Sequence, residues 1–257
     1  MSEGARLQTV RASDLARRLA AEAVGTCFLL AAVVGSGIMG ERLSGGNVAV
    51  ALLANTLATG AALVALILTF GPISGAHLNP AVTVADAFSG GLGWRDVPLY
   101  IVAQVTGAFG GVAVAHLMFA EPLFFASRHA RAGGAQVFSE FVATFGLLAV
   151  IWGCARLNAS RVPFAVAAYI SAAYWFTAST SFANPAVTLA RSASDTFAGI
   201  RPADAPAFIA AQLVGAGAAT SLFRWLVPPA SAALEPATIV HTQRLAERSA
   251  SQRGGHR

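Results

Sequence analysis

The chain has 257 residues, of which 56% are apolar and 11% charged, a balance with too few polar groups to cover the surface of a soluble domain. Its formal net charge of +5 comes entirely from arginine on the basic side, so the charge speaks to membrane orientation before it speaks to any acidic partner.

Residues 1–18 are polar and arginine-bearing and are read as a tail, without a small-residue cleavage site that would mark a signal peptide. Apolar stretches long enough to cross a bilayer as helix follow at Ala16–Met39, Val48–Phe70, Val97–Phe119, Gln136–Cys154, Val162–Ala178 and Ala205–Val227. Six spans place both termini on one side. That side carries Arg17, Arg18, Arg95, Arg156 and Arg161 with the tail arginines, and the other carries Arg42, Arg128, Arg131, Arg191 and Arg201, so the termini are expected to be cytoplasmic. Residues 228–257 read as a basic solubilising tail rather than a lipid- or nucleic-acid-binding one. Cys27 and Cys154 fall inside apolar spans and read as small buried residues.

The two halves of the chain repeat. Ala21-Glu22-Ala23-Val24-Gly25-Thr26 returns loosely as Ser139-Glu140-Phe141-Val142-Ala143-Thr144. Asn79-Pro80-Ala81-Val82-Thr83 returns unchanged as Asn184-Pro185-Ala186-Val187-Thr188, and Ala103-Gln104-x-x-Gly107-Ala108 as Ala211-Gln212-x-x-Gly215-Ala216. Three spans per half make the repeats inverted in topology, about 19–119 and 136–227, within one channel-like domain at 19–227. Each Asn-Pro-Ala opens an apolar segment too short to span, which fits a re-entrant half-helix. Irregular backbone at membrane depth is tolerated only where protein surrounds it or water fills a cavity beside it, so the re-entrant segments imply a wet path. Proline at the first helical position and asparagine before it make a capped helix start. Two such starts meeting at mid-membrane repel cations and leave asparagine donors for a passing neutral solute. The approaches, Gly75-Ala76-His77-Leu78 and Ser179-Thr180-Ser181-Phe182-Ala183, are expected to be extended and to present carbonyl acceptors along the path.

On these motifs, together with Ser74-Gly75-Ala76-His77-Leu78, the chain resembles the aquaporins and glycerol facilitators, or major intrinsic proteins. The resemblance implies an all-α membrane fold of six transmembrane helices and two half-helices, one pore per subunit, and a homotetramer. It also implies that Glu22 and Glu140 support the re-entrant loops, rather than serving a proton-coupled transporter. His77 is read as a neutral residue beside the pore, in preference to a pH gate.

A water-selective member of the family resembles a collar of an aromatic residue, a histidine, a small polar residue and an arginine. Counting without gaps places Thr59, Ala172, Ser181 and Val187 there, so every bulky member is expected to be missing. Arg191, one turn after Val187, is read as marking the outer vestibule. A wide, weakly charged filter implies passage of water, glycerol and arsenous acid. The alternatives are an ordinary water channel in which Arg191 completes the collar, or a secondary transporter. No nucleophile with a base, metal-ligand cluster or phosphate loop is readable, so neither an enzyme nor a cofactor nor a metal is expected, and no nucleic-acid partner.

Overall fold

A computed structural model describes residues 3–226, with side chains from 14–226 other than Leu157. Among the described residues eight α-helices occur: α1 Glu3–Leu43, α2 Val48–Ser74, α3 Pro80–Phe88, α4 Val97–Phe119, α5 Gly134–Asn158, α6 Val162–Phe176, α7 Pro185–Arg191 and α8 Ala205–Leu226. Short 3-10 turns at Ala159–Arg161 and Pro202–Asp204 lead into α6 and α8. Helix α1 runs back through the expected tail to Glu3, past the boundary at residue 18. The basic tail 228–257 lies outside the described residues.

Five helices are long and apolar enough to cross a bilayer unaided: Asp14–Leu43, Val48–Ser74, Val97–Phe119, Gly134–Arg156 and Pro202–Leu226. The remaining expected span is α6, whose 15 residues reach only about 22 Å at 1.5 Å per residue. The polarity of the molecule is that of a membrane protein. Phe28, Leu57, Leu117 and Val214 are exposed, while Glu22, Glu140, Gln104 and Gln212 are fully buried.

The repeated Ala-Gln-x-x-Gly-Ala motif explains how the outer helices close on the half-helices. A Cβ on Gly107 would stand 2.2 Å from the Ala23 carbonyl oxygen of α1, and one on Gly215 would stand 2.6 Å from that of Phe141 in α5. Backbones approach that closely only over glycine. This brings the preceding glutamines, Gln104 and Gln212, level with the half-helices α3 and α7.

Candidate functional site

Asn79 and Asn184 cap α3 and α7, with Pro80 and Pro185 at the first helical position. Asn79 Oδ1 accepts from Ala81 N at 2.9 Å, and Asn184 Oδ1 accepts from Ala186 N at 3.0 Å and Val187 N at 3.3 Å. The carboxamide nitrogens reach across the repeat axis. Asn79 Nδ2 donates to the Ala183 carbonyl at 2.8 Å, and Asn184 Nδ2 to the Leu78 carbonyl at 2.7 Å. Each amide has two hydrogens, so one is spent on this exchange and one remains for the cavity that both asparagines line. Ala81 and Ala186, fully buried, pack behind them.

The approaches are not extended. Ala76 and Leu78 have φ of 47° and 49°, and their repeat mates Ser181 and Ala183 have 51° and 48°, all left-handed; Thr180 joins them at 60°. For residues with a Cβ this conformation costs about 1–2 kcal/mol each. The compensation is visible in the buried carboxylates. Glu22 Oε1 accepts from Ser74 Oγ at 2.6 Å and His77 N at 2.9 Å, and Oε2 accepts from Leu78 N at 2.7 Å and Gln104 Nε2 at 2.8 Å. Glu140 repeats this with Phe182 N at 2.9 Å, Ala183 N at 2.8 Å and Gln212 Nε2 at 2.5 Å. Two successive amides can point at one carboxylate only if the chain turns at alternate residues. The same turn aims the Leu78 and Ala183 carbonyls away from the glutamate toward the opposite asparagine. Gln104 and Gln212 were not singled out as site residues from sequence, although their repetition signalled them. Each ties its glutamate to the half-helix through Thr83 or Thr188 Oγ1, at 2.8 and 2.9 Å.

One cavity of about 780 Å³ contains both asparagines and the residues beyond them in each direction. Apolar lining comes from Val33, Leu63, Ile67, Val82, Val166 and Ile170, and polar lining from the two asparagines and from approach residues of both segments. At one mouth lie Gly75, Ala76, His77, Asp86 and Arg18. His77 Nδ1 is 3.2 Å from Thr83 Oγ1 and its Nε2 is 3.6 Å from Asp86 Oδ2.

At the other end Thr59, Ser181, Val187, Phe182 and Arg191 line the cavity. Ala172 is exposed on the outer face of α6 and does not line it. Tyr174 does, its hydroxyl donating to Thr59 Oγ1 at 3.3 Å, so the end of the cavity is not without a bulky member. The ungapped count fails here because α6 presents Val166, Ile170 and Tyr174 at four-residue intervals, a phase that excludes residue 172.

Arg191 is buried; its Nε donates to the Ala198 carbonyl and its guanidinium lies 3.4 Å from the centre of the Phe182 ring. Arg131, from the connector between α4 and α5, adds a second guanidinium 5.0 Å from that ring. It donates from Nε to the Gly199 carbonyl at 2.8 Å, and from Nη1 to the Ser179 carbonyl at 3.1 Å and Thr180 Oγ1 at 3.4 Å. Burial pushes the Arg131 guanidinium down to about 10, which leaves it charged at neutral pH. Thr180 takes this bond and does not itself line the cavity. Sequence reasoning missed Arg131, which sits in the connector and has no repeat mate.

Residues 9–162 match the family described as Major intrinsic protein. The chain is 57% identical over 217 residues to aquaglyceroporin AqpS of Rhizobium meliloti (strain 1021), covering 84% of this chain and 93% of that protein. It is 45% identical over 98 residues to the probable aquaporin NIP7-1 of Arabidopsis thaliana, covering 38% of this chain and 34% of that one. The structure of the aquaglyceroporin from Plasmodium falciparum superposes with a TM-score of 0.66 at 21% identity, over 84% of this chain and 98% of that one, a likeness of fold. With paired Asn-Pro-Ala half-helices meeting in a continuous cavity, and relatives of this extent, the chain belongs to the major intrinsic protein family and forms a passive membrane channel for small solutes.

Proposed function

We propose that the channel conducts small neutral polyhydroxylated solutes, glycerol and arsenous acid, as well as water. The observation that carries this is a cavity lined by both apolar side chains and amide or carbonyl groups, with Val187 three residues after Asn184, where a water filter of the family has arginine. A polyol has carbon-bound hydrogens on one edge and hydroxyls on the other. A lining that offers apolar side chains together with amide donors and carbonyl acceptors serves both edges. The name of the AqpS relative supports an aquaglyceroporin reading of the same kind.

Permeation runs past Asn79 and Asn184 at the centre, where Pro80, Ala81, Pro185 and Ala186 build the half-helix starts without lining the cavity, past His77 at one approach and past Thr59, Tyr174, Ser181 and Val187 at the other. The arginine distribution supports cytoplasmic termini, which makes the Arg191 mouth the outer one. The exposed apolar helix faces support contact with lipid and, with the family resemblance, assembly into a homotetramer.

Stopped-flow light scattering on proteoliposomes with water, glycerol and arsenous acid tests the solute reading. All three should permeate well above protein-free vesicles. Arg191 on the cavity wall favours one other reading, a water channel completed by that arginine, and permeation by water alone would establish it.

A companion test concerns the centre. Asn184→Leu removes the cap of α7 and the bond to the Leu78 carbonyl. The lost cap costs about 0.5–2 kcal/mol, small enough for the protein to insert. Permeability to every solute should fall to that of empty vesicles, and full retention in inserted protein would remove Asn184 from the path.

A further inference from the structure

The half-helices are near copies until their last shared position. Pro80-Ala81-Val82-Thr83-Val84-Ala85 is followed by Asp86, and Pro185-Ala186-Val187-Thr188-Leu189-Ala190 by Arg191. Both residues line the cavity, so an inverted repeat that is symmetric in shape carries opposite charges at its two mouths. At the first mouth the acid has company: His77 Nε2 stands 3.6 Å from Asp86, and Arg18 lines the same opening.

At the second mouth the buried Glu140 carboxylate acts on both guanidiniums only at longer range, without touching either. Among the described residues neither Arg191 nor Arg131 forms a side-chain ion pair with a carboxylate. The neighbouring acids are committed elsewhere. Glu140 takes the amides of Phe182 and Ala183 and the Gln212 side chain, Asp204 takes Arg201 Nη2 and the Arg131 backbone amide, and Asp195 takes Arg128.

The donors are also arranged. Arg191 spends Nε on the Ala198 carbonyl and lays its plane on Phe182, which fixes the guanidinium and leaves its two terminal nitrogens. Ser181, which lines the same stretch, has a buried hydroxyl with no hydrogen-bond partner. A fixed guanidinium edge matches two oxygens of one planar group, and the match strengthens where water is scarce.

We propose that the Arg191 mouth is a binding site for a small monovalent oxyanion, which lodges there and obstructs neutral solutes while bound. The bound anion is a blocker and not a permeant, because Asp86 and the buried Glu22 carboxylate stand on the far side of the centre and oppose onward passage. Arg131 is a positioning residue: it lies off the cavity, shares the Phe182 ring and holds Ser179 and Thr180.

The inference rests on the solute reading for its functional readout. Nitrate is the probe, since it is planar and stays ionised. Glycerol permeability is measured in proteoliposomes with sodium nitrate on both sides, against sodium chloride at equal ionic strength. Nitrate should depress permeability saturably and chloride should do so far less. In Arg191→Gln, scaled to its own nitrate-free permeability, the half-inhibiting concentration should rise at least about tenfold. Arg131→Gln should raise it a few-fold. Conduction by the wild type that ignores nitrate, or an Arg191→Gln variant as sensitive as the wild type, would overturn the proposal.

If Arg191→Gln does not assemble, Ser181→Ala and Arg131→Gln decide, and unchanged sensitivity in both would overturn it. Should the wild type not conduct glycerol, the solute reading fails separately. Nitrate-specific thermal stabilisation of the wild type, present or absent relative to chloride, then decides the binding site on its own.

Discussion

Glu140→Ala should yield a protein that loses both permeability and thermal stability, the largest effect of any single substitution outside the half-helices. The change leaves the Phe182 and Ala183 amides without their acceptor, leaves Gln212 with Thr188 alone, and removes the compensation for left-handed Ser181 and Ala183. Breaking a buried charged network in this way costs about 3–5 kcal/mol. Glu140→Gln should do nearly as much harm, because an amide offers one acceptor oxygen where the site needs two. Detergent-solubilised thermal unfolding and glycerol permeability read both variants, and Glu22 variants should behave alike. A Gln variant that stayed stable and lost only a pH-dependent component of transport would instead mark Glu140 as a proton carrier and return the chain to a coupled transporter.

Val187→Arg is the second. Val187 is buried on the cavity wall, one turn before Arg191, so the new guanidinium enters the path beside an existing one. Like charges four residues apart on a helix repel, which drives the longer side chain into the open space of the cavity. Glycerol and arsenous acid should lose clearance, and their permeabilities should fall at least about tenfold, equivalent to roughly 1.4 kcal/mol of barrier. Water should fall much less, since it is small and can bond to the new donors. An equal fall for all three solutes would indicate a plugged or misfolded pore. No change would place Val187 outside the constriction, and the filter would then be assigned to Arg191.

The centre of the site was legible because it is written twice. Asn79 and Asn184 share a five-residue motif, and duplication fixed both the inverted topology and the meeting of the two helix starts. The glutamates were legible for the same reason, as isolated carboxylates at equivalent depth. What was not legible depends on local conformation or on unrepeated segments. The left-handed turns at Ala76, Leu78, Ser181 and Ala183 have no glycine to announce them and are held by partners 42 to 56 residues away. The collar position assigned to Ala172 depends on a loop length, and beyond the 3-10 turn that leads into α6 a phase error of two residues turns a side chain from cavity to exterior. Arg131 belongs to the connector joining the repeats, so no internal comparison could point to it.

The reciprocal bonds between Asn79 and the Ala183 carbonyl, and between Asn184 and the Leu78 carbonyl, span 104 and 106 residues of chain. During synthesis the first re-entrant loop therefore emerges long before its counterpart exists. Until residue 184 is made, the Leu78 carbonyl has no partner from the other repeat, and the first half-helix is held only by its own repeat, through Gln104 and Thr83. A partly translated chain therefore holds half of a doorway, which only the second repeat completes and lines.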